Sequence, residues 1–221
     1  MPIVVPGALE SLLMKIKVSL HPLAYADYLA LRQDAQVIEQ DEFGDKVLLK
    51  VDGSYIKLFR RKRLLSSAAW RPYARRFAEN AFALHRLGIP CPRVIAAYKV
   101  ASIERDLVHY HALEGETVRQ VIQRGLSADE TGQLRTGLAR FVGLLHDKGV
   151  YFRSLHLGNI VLTDQKTLGL IDIADMVIGR RLGAGKRQRN IRHMLRYTSD
   201  CEWLGGSEYW QGLINEEAGR Q

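Results

Sequence analysis

The chain has 221 residues, of which 47% are hydrophobic and 25% charged, with a net charge of +8. That length allows one substantial core or two small lobes; nothing in the composition suggests disorder or low complexity, and the sequence shows no internal repeat at periods of roughly 20 to 50 residues. No run reaches the roughly 18 apolar residues a membrane span needs. The opening MPIVVPGALESLLMKIK lacks a basic n-region and is broken by Glu10, so no cleaved signal is expected and the protein is placed in the cytoplasm.

Residues 1–34 read as a leader in which HPLAYADYLALRQ suits a short helix. AQVIEQDEFGDKVLLKVDGSYIKLF follows. QVIEQ, KVLLKV and SYIKLF read as three antiparallel strands in a meander, and Asp52-Gly53 predicts a two-residue type I′ hairpin turn. SSAAWRPYARRFAENAFALHRLG predicts a helix, capped by Ser66 or Ser67, with Phe77, Ala81, Leu84 and Leu87 at helical spacing and Gly88 as its stop. IPCPRVIAAYKV and DLVHYHALEG add two strands. The expectation is a five-stranded antiparallel sheet with one helix inserted after the third strand.

The second half is helical. TVRQVIQRG predicts a short helix. SADETGQLRTGLARFVGLLHDKG predicts a long one, opened by a capping-box-like Ser127-x-x-Glu130 and striped by Leu134, Leu138, Phe141, Val142, Leu145 and His146. NIVLT and LGLIDI read as two short strands around a turn. RQRNIRHMLRYT and a tail holding Trp203 and Trp210 close the chain. The predicted organisation is a leader (1–34), a β-rich lobe (35–112) and a hinge with a reduced helical lobe (113–221). The cysteines, Cys91 and Cys201, have no metal spacing and are expected as two buried free thiols.

The positive charge is concentrated. KLFRRKR (57–63) continues into Arg71, Arg75 and Arg76, and residues 179–196 hold seven Lys or Arg and no acid. Such segments are solvated faces or sites for a polyanion: anionic headgroups, a phosphorylated glycolipid or RNA.

Four residues carry candidate chemistry. Lys57 lies mid-strand, where an inward ammonium needs a partner, and Glu79 on the inserted helix is available; the alternative is that Lys57 alternates outward like Lys46 and Lys50. Asn159 precedes one short strand and Asp172 follows the next. A hairpin brings its outer ends together, where an amide and a carboxylate can share a hard cation; the alternative for Asp172 is a strand-end turn carboxylate.

In this order these features resemble the protein-kinase-like superfamily, and most closely its small bacterial lipopolysaccharide core (Kdo and heptose) kinases. The resemblance rests on RRFAENAFALHRLGIPCPRVIAAY, LHDKGVYFRSLHLGNIVL, LIDIADM and RNIRHMLRY, within residues 35–197. It implies a bilobal α+β kinase-like fold, ATP and Mg²⁺ as cofactors, and a sugar hydroxyl of lipopolysaccharide core as acceptor. On that resemblance Lys57 contacts the nucleotide phosphates and Glu79 anchors it. Asn159 and Asp172 hold Mg²⁺, and Leu113-Glu114-Gly115 is the hinge that meets adenine. The anionic glycolipid partner implies work at the cytoplasmic face of the inner membrane, with nucleic acid not expected as a partner.

The departures are specific. Phe152 stands where the family's catalytic loop has His, and Ser154 where it has Asp. The phosphate loop EQDEFGD has a single glycine, Gly44, and the chain ends soon after IAD, which argues against a folded protein substrate. A serine cannot accept a proton as a carboxylate can, though it can orient a hydroxyl. His156 and Asp175 are the residues near enough in sequence to substitute. The candidate catalytic set is therefore Ser154, His156 and Asp172. Two further readings stay open: a pseudokinase scaffold that binds a partner or membrane surface, and a small-molecule kinase resembling the aminoglycoside phosphotransferases through SLHLGN.

Overall fold

The computed structural model describes residues 17–61 and 72–219, with side chains as far as Glu216. The fold is mixed α+β, with seven helices, a six-stranded sheet and two smaller sheets of three and two strands among the described residues. The chain divides into two compact units. One holds the described residues up to Gly88 together with Val94–Tyr110, and the other holds Ile89–Arg93 and the chain from His111 onward. Among the described residues no helix is long and apolar enough to cross a membrane.

In the first unit β2 (Gln36–Asp41), β3 (Gly44–Leu49) and β4 (Tyr55–Arg60) form the expected meander, and β5 (Arg93–Val100) and β6 (Arg105–His111) complete the strands read from sequence. The expected five antiparallel strands are corrected to six: β1 (His21–Pro22) runs parallel to β5, giving the order β1-β5-β6-β4-β3-β2. Two residues, one of them proline, carry no alternation that could announce a strand.

The described part of the leader, residues 17–34, is part of this unit. Helix α1 (Tyr25–Arg32) buries Tyr28 against Leu48, Ile56, Leu58, Val100 and Leu107, with Leu23 and Leu31 packed alongside. Side chains alternate along β4, so Ile56 and Leu58 meet this cluster while Tyr55, Lys57 and Phe59 take the other face. Helix α2 (Tyr73–Arg86) covers that other face: the Phe59 ring lies 6.2 Å from Tyr73 and 6.4 Å from Phe77, and Tyr110 lies 5.2 Å from Phe77. α2 follows Pro72 and closes at Gly88, whose φ of +70° lets its N–H reach His85 O at 3.0 Å. The expected caps Ser66 and Ser67 lie outside the described residues.

The β3–β4 hairpin forms, but its turn is not type I′. Gly53 alone of the Asp52-Gly53 pair takes positive φ (+77°), Gly53 N–H donates to Lys50 O at 3.0 Å, and Lys50 N–H donates to Ser54 O at 2.8 Å. This is a three-residue loop with the glycine at its left-handed position. Asp52 stays out of that region because its carboxylate accepts from the Ser54 N–H and hydroxyl, which hold its pKa at about 2.

In the second unit, β7 (Glu116–Thr117) leads into α3 (Val118–Arg124), and α4 (Ala128–Asp147) follows. Both helices open with complete capping boxes, Thr117 with Gln120 and Ser127 with Glu130. The α4 stripe buries Leu138, Phe141, Val142, Leu145 and His146, while Leu134 is half-buried. The chain then runs through β8 (Val150–Phe152), β9 (Ile160–Leu162), β10 (Leu168–Leu170) and β11 (Met176–Ile178), and then α5 (Ala184–Met194), α6 (Thr198–Trp203) and α7 (Ser207–Gly219). α7 packs along α4, with Trp210 fully buried, and the Arg135 guanidinium sits 5.2 Å from the Trp203 ring. No disulfide forms among the described residues; Cys91 is buried as expected, but Cys201, on α6, is only half-buried.

Candidate functional site

Two short ladders in the second unit set up the loop that begins YFRSLHLGN. β8 pairs antiparallel with β11, with Phe152 opposite Met176, and β9 pairs antiparallel with β10, with Ile160 opposite Leu170. Residues 153–159 and 171–175 therefore link the same two ladders and run side by side. The Ile171 N–H extends the second ladder by donating to Asn159 O at 3.0 Å.

This pairing brings Asn159 and Asp172 together at the mouth of the β9–β10 hairpin. Asn159 is nearly buried, and its Nδ2 donates to Ser154 O at 2.9 Å, which turns Oδ1 to the opposite side of the amide. Asp172 is exposed and adopts left-handed backbone (φ 52°, ψ 44°), a conformation that aspartate tolerates better than most non-glycine residues and that Asp34, Glu104 and Lys166 also take. Its side chain does not cap the short 3₁₀ turn Ile173–Asp175 that follows it.

The Ser154 hydroxyl donates to Asp175 Oδ2 at 2.6 Å. The other oxygen, Oδ1, is screened from solvent and has no hydrogen-bond partner among the described residues. His156 is engaged within its own loop. Its Nδ1 accepts from the Gly158 N–H at 3.2 Å, which caps the 3₁₀ turn Leu157–Asn159. Burial, and then the nearby Arg119 guanidinium, push the His156 pKa down. The neutral ring thus carries its proton on Nε2.

Sequence reasoning missed the support beneath this loop. Arg119 on α3 makes two hydrogen bonds to the buried carboxylate of Asp200 on α6, at 2.7 and 3.2 Å, and the Leu157 N–H donates to the same carboxylate at 3.3 Å. The exposed Tyr197 ring meets His156 edge-on at 5.3 Å and lies 5.0 Å from Arg119 and 4.9 Å from Arg196. Arg119 and Asp200 are 81 residues apart, and no local pattern connects them.

The remaining expected site residues lie elsewhere. In the first unit Lys57 is half-buried on the α2-facing side of β4, its Nζ 5.8 Å from the Phe59 ring centre. Glu79 on α2 is buried, and its Oε1 accepts from the Val18 N–H at 3.4 Å. In the second unit Glu114 is exposed, and Gly115 has φ +129° with Leu162 O and Thr163 Cα pressed against the position a Cβ would take.

No known protein family matches the chain, and no curated protein matches it. Among solved structures, a co-crystal structure of WbdD with the kinase inhibitor LY294002 is similar, with a TM-score of 0.46 and 14% identity over 78% of this chain and 43% of that one. The chain thus spans less than half the length of that structure.

Among the described residues no three His, Cys, Asp or Glu side chains cluster with metal-binding geometry. Were a Mg²⁺ bound here, Asn159 and Asp172 would be the residues to supply its protein oxygens, of which that ion needs only one or two.

The basic segment 179–196 is partly structural. Arg181 and Arg187 both bind Asp147, and although burial raises the Asp147 carboxyl, these guanidinium hydrogen bonds outweigh it and leave the pKa lowered. Arg180, Lys186, Arg189, Arg192 and Arg196 line the rest of the segment, and Lys186, Arg189 and Arg192 are exposed. A cavity of about 540 Å³ is lined by residues 179–186 with Gly149, Tyr151 and Val177. In the first basic segment, Arg61 binds the buried Asp106 at 3.1 Å; residues 62, 63 and 71 lie outside the described residues.

Proposed function

We propose that this chain is an ATP-dependent phosphotransferase of kinase-like fold, acting on a sugar hydroxyl of an anionic glycolipid such as lipopolysaccharide core. The observation that carries the reading is the adjacency of Asn159 and Asp172 at the hairpin mouth, with Asp172 held in left-handed backbone beside the Ser154 loop. On this reading the two side chains supply oxygens to Mg²⁺, which when bound neutralises phosphate charge. Lys57, steadied by Glu79, serves the nucleotide phosphates, and the backbone of Glu114 and Gly115 serves adenine. Phosphoryl transfer is carried mainly by positioning and charge neutralisation, so a loop without its carboxylate base keeps part of its catalytic power.

The exposed cations of 179–196 and the basic cavity beside them support an anionic acceptor at the inner-membrane surface. Calorimetry with Mg-ATP tests the nucleotide half: the wild-type chain binds, and Asp172→Ala loses that binding. Unchanged affinity in the variant would remove the site from consideration.

One observation favours a second reading, a scaffold without turnover: Ser154 carries a hydroxyl where the resembling family has a carboxylate, so no strong base stands at that position of the loop. A Mg-ATP thermal shift with no phosphate transfer onto purified core glycolipid decides for the scaffold.

A further inference from the structure

We propose that Ser154 and Asp175 act together as a proton relay, in which the serine meets the acceptor hydroxyl and the aspartate takes the proton. This rests on the phosphotransferase reading above. The geometry separates the two residues able to replace the missing base. His156 is committed: its one lone-pair nitrogen accepts the Gly158 N–H, and protonating it would break that bond and place a cation beside Arg119. Asp175 is aimed differently, its Oδ2 already accepting the Ser154 hydroxyl at 2.6 Å. Its Oδ1 has no donor among the described residues, so the contact of this carboxylate runs through Ser154.

The β8–β11 ladder keeps the pair in register. Phe152 lies opposite Met176, so the chain two residues past one and one residue before the other must pass close together. Asn159 Nδ2 holds the Ser154 carbonyl from the other side, so the relay is tied to the candidate metal-binding amide. His193 of α5 feels the Asp175 charge, and burial, then Arg196, keeps the His193 pKa low.

The step balances without a further reagent. The acceptor oxygen forms its bond to the γ-phosphorus while the bond from that phosphorus to the β,γ-bridging oxygen breaks, and ADP leaves with the electron pair. The acceptor proton passes to Ser154 Oγ as the Ser154 proton passes to Asp175 Oδ2, and Asp175 later releases it to solvent. Ser154 touches the acceptor. Asp175 acts through it and positions its hydroxyl.

The test measures Mg-ATP hydrolysis by the full chain, with water as acceptor, from pH 5 to 9, beside a Mg-ATP thermal shift. Asp175→Asn and Ser154→Ala are each expected to lower turnover about 10²-fold, with the double variant no worse than either. The thermal shift stays in each variant, and Asp175→Glu, which keeps a carboxylate within reach of Ser154, recovers part of the rate. Wild-type rates in Asp175→Asn, or a slower rate that Asp175→Glu does not recover, overturn the relay. A wild-type chain that shifts with Mg-ATP but never hydrolyses it overturns the relay alone; one that does not shift removes the nucleotide reading as well.

Discussion

The carboxylate of Asp200, buried on α6, accepts two hydrogen bonds from the Arg119 guanidinium of α3. Because the Leu157 N–H reaches the same carboxylate, one side chain from the C-terminal region fastens α3 and the Ser154 loop together. Asp200→Ala leaves Arg119 without its acceptor and a buried N–H without a partner, which should cost about 2–4 kcal/mol. Urea unfolding should show the loss as a lower midpoint at unchanged slope; an unshifted midpoint would mean that the contact contributes nothing.

His146 sets an acid limit on stability. It is fully buried, its Nε2 bonds to Asn190 Oδ1, and Asn190 Nδ2 donates to Phe152 O. That chain of donors puts the His146 proton on Nε2 and leaves Nδ1 bare, and burial lowers its pKa to about 4. The unfolded chain, with a histidine pKa near 6.5, therefore binds more protons than the native one between those values. Stability is full above about pH 6.5 and falls as the pH drops toward 4, by roughly 2–3 kcal/mol from this residue. His156 and His193 shift in the same direction. Thermal melts across pH 4–7 should slope downward toward acid, and His146→Gln should flatten that slope.

Gly115→Ala should destabilise the chain by about 2–4 kcal/mol. The residue has φ +129°, and an added Cβ would lie 2.8 Å from Thr163 Cα and 2.9 Å from Val161 Cγ1, backbone and core that cannot yield easily. A urea midpoint within error of wild type would contradict this.

Trp210→Ala should cost about 3–5 kcal/mol, because the ring is fully buried where α7 meets α4. The loss should appear in global unfolding, since the tail helix is part of the second unit's core. A variant with wild-type melting would show α7 to be dispensable.

Ser154→Asp restores the carboxylate of the resembling family beside Asp175, at a position where two like charges would face each other at hydrogen-bond distance. If the protein is an impaired enzyme, ATP hydrolysis should rise about tenfold or more at pH 8, a part of the roughly 10²–10⁴-fold a general base contributes. No change at any pH favours the scaffold reading.

What was legible in the sequence is what depends on short-range periodicity. Alternation in SYIKLF is enough to put Ile56 and Leu58 on one face and Lys57 on the other. Ser127 and Glu130 announce their capping box, and Thr117 and Gln120 carry the same spacing. The hairpin ends that bring Asn159 beside Asp172 follow from two apolar triplets around a turn. What stayed hidden depends on distant partners. β1 exists only because β5 offers it an edge, and Asp52 avoids the left-handed region because Ser54 engages its side chain. Asp175 could be named as a candidate, but its choice over His156 required the positions of Ser154 and Gly158.

At one of the two edges of the six-stranded sheet, β2 has every residue exposed, including Val37 and Ile38. An uncovered row of amides and carbonyls invites strand addition from a second molecule. Here the register slips between Val37 and Glu39 and again between Glu39 and Gln40, so the strand is bulged, and Glu39 and Asp41 put acid on it. A copy docking there edge to edge would meet misaligned partners and its own like charges. This edge is thereby a poor template for strand addition, although it carries two aliphatic side chains in water.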